Sequence, residues 1–286
     1  MSTSTSTPTQ IVTPELRDWI VAQAAAGHPP AVVIEAMKAS GWEEPVARIA
    51  LATTLGEKTV GPLTAAPNRP MPGREINVER PRLPAGDREV AVLMAMSHPR
   101  VVVFGDLLSA EECAELIALA RTRLSRSETV ATQTGASAVN EARTSDGMFF
   151  QPAEFPVCAR LEVRISRLLD WPLENGEGLQ ILRYRPGAEY KPHYDYFDPA
   201  EAGTPAILKR GGQRLASIVC YLNTPEAGGA TVFPEAGIEV APVQGNAVFF
   251  SYDRPHPATR TLHGGAPVTA GEKWVATKWM REGRFE

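Results

Sequence analysis

The sequence predicts a mainly β protein with flanking helices, whose second half folds as a double-sheet barrel. After Trp171 the chain consists of short segments rich in Val, Ile, Phe and Tyr, separated by the pairs Gly211-Gly212, Gly228-Gly229 and Gly264-Gly265. No long helical pattern separates these segments, so we expect mostly antiparallel strands. Helical patterns come first and strands afterwards, which favours helices packed on one side of the barrel.

The composition excludes several classes of protein. A net charge of −4 with 22% charged residues is ordinary for a globular chain and argues against nucleic-acid binding, which needs a strongly basic surface. No apolar run approaches the ~18 residues of a membrane span, and Met1–Gln10 lacks the basic and apolar regions of a signal peptide. Cys113, Cys158 and Cys220 are widely spaced, which excludes a disulfide framework and a cysteine zinc site and predicts a cytoplasmic location.

The N-terminal part predicts a disordered tail followed by a small three-helix bundle. Residues 1–12 are polar and low in complexity, which is typical of disorder. The bundle is expected over residues 13–56, where Thr13 caps the first helix and later helices begin near Ala31 and Glu44. The apolar side of the first helix is formed by Leu16, Trp19, Ile20 and Ala24.

In its size and in the turn from Met37 to Gly41-Trp42, this bundle resembles ubiquitin-associated-type three-helix bundles. The resemblance implies a face that binds a protein partner. A helical accessory domain without such a face is the alternative, and the sequence leaves both open.

A linker is predicted for residues 57–88, followed by a second domain over residues 89–286. The linker is rich in proline and has little apolar periodicity, which is typical of a semi-extended spacer. Its prolines are Pro62, Pro67, Pro70, Pro72, Pro81 and Pro84.

The second domain begins with a buried strand and two helices. Arg100–Phe104 is the strand, and Ser109 with Glu112 forms a capping box at the start of the first helix. Phe155–Leu169 is amphipathic and predicts the second helix, while the polar Ser127–Asn140 between them predicts a flexible loop or lid. The later strands are expected at Leu179–Tyr184, Arg214–Leu222, Ala230–Phe233, Gly237–Val240, Asn246–Ser251 and Lys273–Met280.

His193 and Asp195 are the first candidate metal ligands. They lie two residues apart in a strand-like aromatic run, so on a strand both would point to the same face. His263 is the preferred third ligand, and His256, which lies between two prolines, is the alternative. Two histidines and one carboxylate on a β-barrel form the facial arrangement typical of non-haem Fe(II). A structural hydrogen-bonded pair remains the simpler interpretation of His193 and Asp195 alone.

Lys273 opens the last predicted strand, ten residues after His263. Its side chain could extend over the metal and hold the far carboxylate of a dicarboxylate. Such a buried cation must be well paired to be tolerated. Residues 246–250 would supply an apolar wall.

Three ordered motifs resemble the prolyl 4-hydroxylase family over about residues 99–281. The first is Leu182-X-Tyr184-X-X-Gly187-X-X-Tyr190-X-X-His193-X-Asp195. The second comprises Gly228-Gly229-Ala230-Thr231-Val232-Phe233-Pro234 and Pro242-X-X-Gly245-X-Ala247. The third is Arg260-X-X-His263-X-X-X-Pro267-Val268-X-X-Gly271-X-Lys273-Trp274.

The resemblance implies an Fe(II)- and 2-oxoglutarate-dependent dioxygenase on a double-stranded β-helix (jelly-roll) core. Iron would be bound by His193, Asp195 and His263. Lys273 would pair with 2-oxoglutarate, Tyr184 would add a hydrogen bond, and Trp279 would line the same pocket. O2 is the second cosubstrate, and ascorbate is a further expectation of the family.

The resemblance also implies a proline-containing peptide or protein as substrate. Positions that the family uses around its peptide match Arg143, Ser145, Glu177 and Arg214. The chain looks closer to the compact bacterial and algal members than to the animal collagen enzymes. The alternatives are an oxygenase for another residue or a free small molecule, and a metal-binding barrel that acts as a sensor or scaffold without turnover.

Overall fold

The computed structural model describes residues 13–42, 46–47, 50–51, 54–55, 76, 79–130, 137–139 and 143–286. The chain divides into two compact units, Met1–Pro70 and Met71–Glu286. The tail predicted to be disordered and most of the predicted linker lie outside the described residues. Among the helices that are described, each is too short or too polar to cross a lipid bilayer.

The first unit contains the three helices that the sequence predicts. α1 is Pro14–Ala25 and α2 is Pro30–Ala39, while the described part of α3 consists of residues 46–47, 50–51 and 54–55. The Thr13 hydroxyl accepts a hydrogen bond from the Leu16 backbone N–H at 3.4 Å and so caps α1. The helices share a core of Ile20, Val33, Ile34, Met37, Ala47, Ala50 and Leu51.

Trp19 does not belong to this core, although its spacing suggested that it would. It is 37% exposed, whereas Ile20 is fully buried. Adjacent helical residues point about 100° apart, so only one of the two can face the centre of a small bundle. The smaller Ile20 occupies that position.

The described residues of the second unit form seventeen strands and three α-helices. The strands are β1 (Arg82–Pro84), β2 (Glu89–Met96), β3 (Arg100–Gly105), β4 (Ser125–Arg126), β5 (Glu128–Val130), β6 (Ser137–Val139), β7 (Asp146–Phe150), β8 (Leu179–Tyr184), β9 (Tyr190–His193), β10 (Arg214–Tyr221), β11 (Ala227–Gly228), β12 (Thr231–Phe233), β13 (Ile238–Val240), β14 (Ala247–Ser251), β15 (His263–Gly265), β16 (Val268–Ala270) and β17 (Lys273–Arg281). The helices are α4 (Ala110–Arg121), α5 (Pro156–Leu169) and α6 (Thr204–Leu208).

Two sheets dominate this unit. The large sheet has the strand order β1-β2-β3-β14-β10-β17-β8-β7-β4, and the small sheet has the order β13-β12-β15-β9. Two further pairs are β11-β16 and β5-β6. The pairings among the described strands are antiparallel. The prediction of a mainly antiparallel double-sheet barrel is confirmed.

The large sheet lies between the helices and the small sheet. On β17, Trp274 and Ala276 belong to a core shared with α4 and α5, whereas Val275 belongs to a second core. Phe233 and Val240 of the small sheet complete that second core. Because successive residues of a strand point to opposite faces of the sheet, β17 contributes side chains to both cores. The second core is the inside of the barrel.

α4 begins as the sequence predicts. The Ser109 hydroxyl accepts from the Glu112 backbone N–H at 3.2 Å, and the Glu112 carboxylate accepts from the Ser109 N–H at 3.0 Å. These two bonds complete a capping box, which satisfies N–H groups that the helix itself leaves unpaired.

Arg164 of α5 joins the helical layer to the start of the domain. Its buried guanidinium donates to the Asp87 carboxylate at 2.6 and 2.9 Å, to Glu112 at 2.8 and 2.9 Å, and to the Leu107 carbonyl at 2.6 Å. Burial opposes the positive charge, but the two carboxylates outweigh burial and raise the pKa of Arg164. The cation is therefore fully paired in a place where water is excluded.

The domain starts earlier in the chain than expected. Residues 82–84 pair with β2 as the edge strand β1, and Leu83 is buried, so the end of the predicted linker 57–88 is part of the large sheet. Pro81 and Pro84 suggested a spacer, but proline is compatible with an edge strand, where one row of N–H groups has no ladder partner.

Part of the predicted lid is also structured. β5 and β6 pair as a hairpin with Glu128 opposite Val139, while residues 131–136 and 140 lie outside the described residues. Other elements that the sequence pattern did not indicate include the five-residue helix α6 and the short strands β11, β15 and β16. Elements of two to five residues are too short to show a period.

Arg164→Ala is expected to lower the free energy of unfolding by about 3–5 kcal/mol, because it removes a buried cation and leaves the half-buried Glu112 carboxylate without its main partner. Arg160→Ala on the same helix is the matched control. Arg160 is exposed and forms only long contacts with Glu112 and Glu115, so its loss should cost about 1 kcal/mol or less. Urea denaturation of both variants measures the difference, and equal losses would contradict the role given to Arg164.

Candidate active site

The three predicted metal ligands come together at one end of the small sheet. His193 ends β9 and His263 begins β15, and the two residues are directly opposite each other in the ladder. Asp195 follows in the bend after β9. Its carboxylate oxygens lie 3.4 Å from His193 Nε2 and 3.5 Å from His263 Nε2.

One detail of the sequence interpretation is wrong. His193 and Asp195 do not share the face of one strand, because β9 ends at His193. The bend after the strand, and not the strand pleat, directs the carboxylate toward the imidazoles.

Backbone hydrogen bonds decide which nitrogen of each imidazole faces the carboxylate. His193 Nδ1 lies 2.9 Å from the Lys191 carbonyl oxygen, and His263 Nδ1 lies 3.0 Å from the Thr261 carbonyl oxygen. Since a carbonyl only accepts, each Nδ1 carries the proton and each Nε2 keeps its lone pair. Two Nε2 lone pairs therefore point toward one carboxylate.

The Asp195 carboxylate is buried and ionised. Burial opposes its charge, but the positive charge that His263 and His193 carry when they are protonated, together with Arg214, outweighs burial and holds the pKa of Asp195 below its usual range. The Ser217 hydroxyl donates to Oδ2 at 2.6 Å, and the Tyr252 hydroxyl lies 3.1 Å from Ser217 Oγ. The large sheet thus holds the carboxylate through a side chain of β10.

Aromatic rings enclose the two imidazoles. His263 is buried with its ring centroid 4.3 Å from that of Phe250 and 5.9 Å from that of Phe233. Burial lowers the pKa of His263 to about 4, so the ring is neutral at pH 7. The His193 ring stacks on Tyr190 with 3.7 Å between centroids.

These residues fit Fe(II). Within the part of the chain that the structure describes, His193, Asp195 and His263 are the group of His, Cys, Asp or Glu side chains able to hold a metal, with their ligand atoms within 4.8 Å of one another. Two imidazoles and one carboxylate are the donors of the facial Fe(II) site. Metal-bound histidines usually donate their other N–H to a carbonyl or carboxylate, as both do here.

His256, the alternative third ligand, lies elsewhere. It caps the short 3-10 helix Pro257–Thr259, and its Nδ1 accepts a hydrogen bond from the Ala258 N–H at 3.0 Å. His256 is not part of the group of described side chains whose ligand atoms come together, which consists of His193, Asp195 and His263.

Lys273 is a buried cation inside the barrel. It is 4% exposed, and burial lowers its pKa to about 8. Its Nζ lies 5.5 Å from the centroid of the Tyr184 ring and 5.7 Å from that of Tyr221, and no carboxylate among the described residues pairs with it. Since an unpaired buried ammonium is unfavourable, this position is suited to an anionic ligand.

Gly229 provides the space for Lys273. Its φ is +73°, a conformation that favours glycine, and a Cβ there would lie 3.1 Å from Lys273 Cδ. The pair Gly228-Gly229, expected only as a turn between strands, therefore also shapes the site.

One cavity, partly open to solvent, contains both Lys273 and the three candidate ligands. Tyr184 and Trp279 line it, as the resemblance implies. The remaining walls include Leu182, Val219, Thr231, Val275 and Thr277. The cation Lys273 and the metal-binding side chains thus share one largely apolar space between the two sheets.

Of the four residues expected at the peptide substrate, Arg143 lines the cavity. Its Nη2 donates to Gln180 Oε1 at 2.7 Å, its Cζ lies 4.8 Å from the Tyr190 ring centroid, and its buried Nε has no hydrogen-bond partner among the described residues. Ser145 is buried outside the cavity lining and pairs with the Ser127 hydroxyl at 2.9 Å.

Glu177 and Arg214 support the cavity wall from behind. Glu177 accepts from Arg214 at 2.6 and 2.9 Å and from Arg281 at 2.7 Å. Burial opposes the Glu177 charge, but these guanidinium groups outweigh it and lower the pKa of Glu177. Arg214 Cζ lies 3.9 Å from the Trp279 ring centroid, so the ion pair positions a residue that lines the cavity.

Sequence reasoning assigned no role to Ser217, Tyr190 and Thr231. Tyr190 and Thr231 lie in motifs that the resemblance had already marked, and Thr231 Oγ1 accepts from the Tyr221 hydroxyl at 2.8 Å. Ser217 is the one aliphatic hydroxyl within an otherwise apolar and aromatic run, Leu215–Leu222. A buried hydroxyl needs a partner, which is the signal that could have identified it.

Known proteins share this sequence and geometry. The family described as the 2OG-Fe(II) oxygenase superfamily matches residues 179–281. Prolyl 4-hydroxylase 1 of Arabidopsis thaliana is 44% identical over 202 residues, 64% of this chain and 69% of that protein. Prolyl 4-hydroxylase 5 of the same plant is 39% identical over 222 residues, 70% of this chain and 74% of that protein. The viral collagen prolyl hydroxylase of Paramecium Bursaria Chlorella virus-1, solved as its 2OG complex, has a TM-score of 0.50 at 30% identity and covers 63% of this chain and 95% of that one.

The fold and the family match define a 2-oxoglutarate-dependent dioxygenase that uses Fe(II) and O2. Within this class, the chain belongs to the prolyl 4-hydroxylase family, since a relative 44% identical is covered over more than two thirds of its length.

Ser217→Ala is expected to weaken Fe(II) binding about 10- to 100-fold, because the Asp195 carboxylate loses the hydroxyl that orients it. Ser251→Ala on the neighbouring strand β14 is the control, since its buried hydroxyl has no partner among the described residues. Anaerobic Fe(II) titration measures both. Unchanged affinity in Ser217→Ala would contradict the positioning role.

Proposed function

We propose that this protein hydroxylates prolyl residues of a peptide or protein, with 2-oxoglutarate and O2 as cosubstrates and succinate and CO2 as co-products. The observation that carries the proposal is Lys273, a buried cation that no carboxylate of the described residues pairs with, in the cavity that also contains His193, Asp195 and His263. A cation and a metal site in one narrow cavity suit a small dicarboxylate that contacts both.

In this proposal the metal would be held by His193 Nε2, His263 Nε2 and the Asp195 carboxylate. When bound, Fe(II) supplies the redox chemistry that couples decarboxylation of 2-oxoglutarate to hydroxylation of a C–H bond. Ser217 keeps the carboxylate oriented, and the Nδ1 bonds keep both imidazoles turned toward the ion.

Lys273 binds the distal carboxylate of 2-oxoglutarate, and the Tyr184 hydroxyl adds a hydrogen bond. The two residues are directly opposite each other on β17 and β8, so their side chains extend from the same face of the large sheet. Apolar walls from Leu182, Val219 and Val275 exclude water from this part of the cavity and strengthen the ion pair.

The substrate part of the proposal is supported by the relatives and by free donors in the cavity. The similar proteins of Arabidopsis thaliana and of the virus are named prolyl hydroxylases. Arg143 Nε and Trp279 Nε1 are buried donors without hydrogen-bond partners among the described residues, and both side chains line the cavity. We assign Arg143 to direct peptide contact, and Ser145, Glu177 and Arg214 to support of the peptide-binding wall.

The remaining parts of the proposal concern partners and location. The N-terminal bundle binds a protein partner, a role supported by the exposed Trp19 and Val32. The cysteines Cys113, Cys158 and Cys220 are buried and unpaired, which suits a reducing cytoplasm. Ascorbate remains a family expectation for sustained turnover.

Incubation of the protein with Fe(II), 2-oxoglutarate, O2 and proline-rich peptides is expected to add one oxygen atom to proline and to release succinate in equal amount. Peptide mass spectrometry and succinate analysis provide the measurement. Turnover on a free amino acid without any modified proline would favour the small-molecule alternative. No succinate above background would favour the non-catalytic scaffold.

Lys273→Ala is expected to raise the KM for 2-oxoglutarate by at least about 100-fold while Fe(II) affinity changes little, because a charge-assisted pair in a buried site is lost. Lys209→Ala, a substitution of an exposed lysine, is the control. Simultaneous loss of 2-oxoglutarate and Fe(II) binding in Lys273→Ala would show that the residue has a different role.

Binding of 2-oxoglutarate should also weaken at high pH. The pKa of Lys273 in the free protein is about 8, and only the protonated amine binds the carboxylate. Affinity is therefore full well below pH 8 and falls about tenfold per pH unit above it. Calorimetric titration between pH 6.5 and pH 9.5 tests this, and Lys273→Arg, which stays protonated, should give a flat profile.

A further inference from the structure

A second cavity lies where strand β14 ends and strand β3 begins. Its walls come from the turn before β3 and from the segment after β14, and among the described residues it shares no lining residue with the active-site cavity. It is partly open to solvent and has a volume of about 250 Å³. Pockets for drug-sized organic molecules usually measure ~300–1,000 Å³, so this cavity is suited to an ion or a small molecule.

Ser251 supplies the second cavity with a buried hydroxyl. The residue is 5% exposed and lines the cavity, and its Oγ has no hydrogen-bond partner among the described residues. Buried hydroxyls are nearly always hydrogen-bonded, because an unpaired one has lost its bonds to water without replacing them. The hydroxyl of Ser251 therefore indicates a polar ligand with an acceptor atom.

Further donors line the cavity around this hydroxyl. Arg100 is directly opposite Ser251 in the ladder of β3 and β14, so the two side chains extend from the same face of the large sheet. Arg254, in the segment after β14, and His98, in the turn before β3, also line the cavity. Donors from three parts of the chain thus face one space.

Asp253 opposes a negative ligand, but only weakly. Among the described residues it is the one carboxylate of the lining, against the two guanidinium groups of Arg100 and Arg254. Its Oδ1 lies 3.9 Å from Arg254 Nε, and both side chains are more than half exposed. Exposed pairs at such a distance contribute little, so Arg254 can turn to a ligand that it binds more strongly. The cavity as a whole therefore favours an anion.

The donor types favour a tetrahedral oxyanion over a carboxylate. A guanidinium group presents its N–H donors in a fork that matches two oxygens of a phosphate, and a serine hydroxyl can donate to a third. A carboxylate has two oxygens in one plane, whereas phosphate and sulfate have four that point to different sides. Donors that come from a strand pair, a turn and a connecting segment are therefore better used by the tetrahedral ligand.

One chain of hydrogen bonds connects the second cavity to His263. Thr259 lines the cavity, and its Oγ1 lies 2.9 Å from Thr261 Oγ1. The Thr261 carbonyl oxygen accepts from His263 Nδ1 at 3.0 Å. The segment between β14 and β15 therefore contributes both to the cavity wall and to the orientation of a metal ligand.

Another chain of hydrogen bonds connects the cavity to Asp195. Tyr252 lines the cavity, and its hydroxyl lies 3.1 Å from Ser217 Oγ, which donates to Asp195 Oδ2 at 2.6 Å. Two of the three candidate metal ligands are thus linked to residues in the walls of the cavity. A ligand that fixes these walls also favours the arrangement that binds the metal.

From these contacts we propose that the second cavity binds a tetrahedral oxyanion, either inorganic phosphate or the phosphate group of a small ester, and that the bound oxyanion strengthens Fe(II) binding at the active site. Arg100 and Ser251 hold the oxyanion from the sheet, and Arg254 holds it from the segment that leads to His263. The oxyanion thereby fastens this segment to the sheet, which lowers the conformational entropy that metal binding must remove. Because such coupling is reciprocal, Fe(II) strengthens oxyanion binding by the same factor.

Calorimetric titration of the metal-free full chain tests the site itself, with inorganic phosphate, sulfate and glycerol 3-phosphate as probes. Tighter binding of glycerol 3-phosphate than of inorganic phosphate would identify an ester as the ligand, and equal or weaker binding would identify the free ion. Both results support the site. Absence of binding by all three probes overturns the inference.

Single substitutions locate the bound oxyanion. Arg254→Ala should weaken phosphate binding at least about tenfold, since a charge-assisted hydrogen bond is lost, and Ser251→Ala about two- to tenfold. Arg284→Ala is the matched control, because it removes an exposed arginine that does not line the cavity. Lys273→Ala should also leave phosphate binding unchanged. Loss of binding in Lys273→Ala, or full affinity in Arg254→Ala, would show that the oxyanion binds elsewhere and overturn the inference.

Anaerobic Fe(II) titration in sodium sulfate and in sodium chloride of equal ionic strength tests the coupling. Sulfate is the probe here because phosphate itself binds Fe(II). We expect sulfate to tighten Fe(II) binding about fivefold or more, and to have no such effect in Arg254→Ala. Equal Fe(II) affinity in the two salts would overturn the coupling, and a sulfate effect that persists in Arg254→Ala would overturn the role of the cavity.

Neither measurement uses a peptide or requires turnover, so the results are distinct from failure of the proposed function. A coupled oxyanion site in a protein that hydroxylates no proline would support this inference and refute the prolyl hydroxylase. Hydroxylation of proline by a protein that binds none of the three probes would refute the oxyanion site alone.

Discussion

The buried carboxylate of Asp195 is the interaction on which the site depends. An ionised group away from water is tolerated only when it is paired, and its partners come from both sheets. The small sheet supplies His193 and His263, and the large sheet supplies the Ser217 hydroxyl. These side chains lie on β9, β15 and β10, so the site forms only when the barrel closes. Occupancy of the metal position should therefore stabilise the closed barrel as well as complete the catalytic centre.

β17 carries two buried lysines, one with a structural role and one with a role in the proposed binding of 2-oxoglutarate. Lys278 pairs with Glu162 of α5 at 2.7 Å and so joins the sheet to the helical layer. Lys273 faces the inside of the barrel, where no carboxylate among the described residues meets it. The two residues are five positions apart, an odd number, so the strand pleat places them on opposite faces. The ion pair with Glu162 makes Lys278 part of the scaffold. Lys273 has no such partner among the described residues and is therefore available to a dicarboxylate.

Long elements were predictable because their patterns are local. The strand at Leu179–Tyr184 has its expected limits, and those of β10, β14 and β17 differ by about one residue, since each is a run of β-branched and aromatic residues between turns. The capping box of α4 is likewise a four-residue pattern. β15, which begins at His263, was not predicted as a strand, because three residues that include two glycines have no clear strand propensity. β9 lies in the run predicted to be strand-like, but it ends at His193, before Asp195.

The sequence by itself determined the chemistry of the site: two histidines, one aspartate and one lysine, at the spacings of a recognisable family. Tertiary structure decided how they act. A bend directs Asp195 toward the imidazoles, and Ser217 of the large sheet donates a hydrogen bond to it. Glu177 and Arg214 form an ion pair, and Phe149 lies exposed beside Trp279. The physical reason is the distance along the chain between the residues that interact. Donor atoms and short motifs are local properties of the chain, whereas burial, pairing and exposure depend on contacts between residues tens of positions apart, which exist only after the sheets have paired.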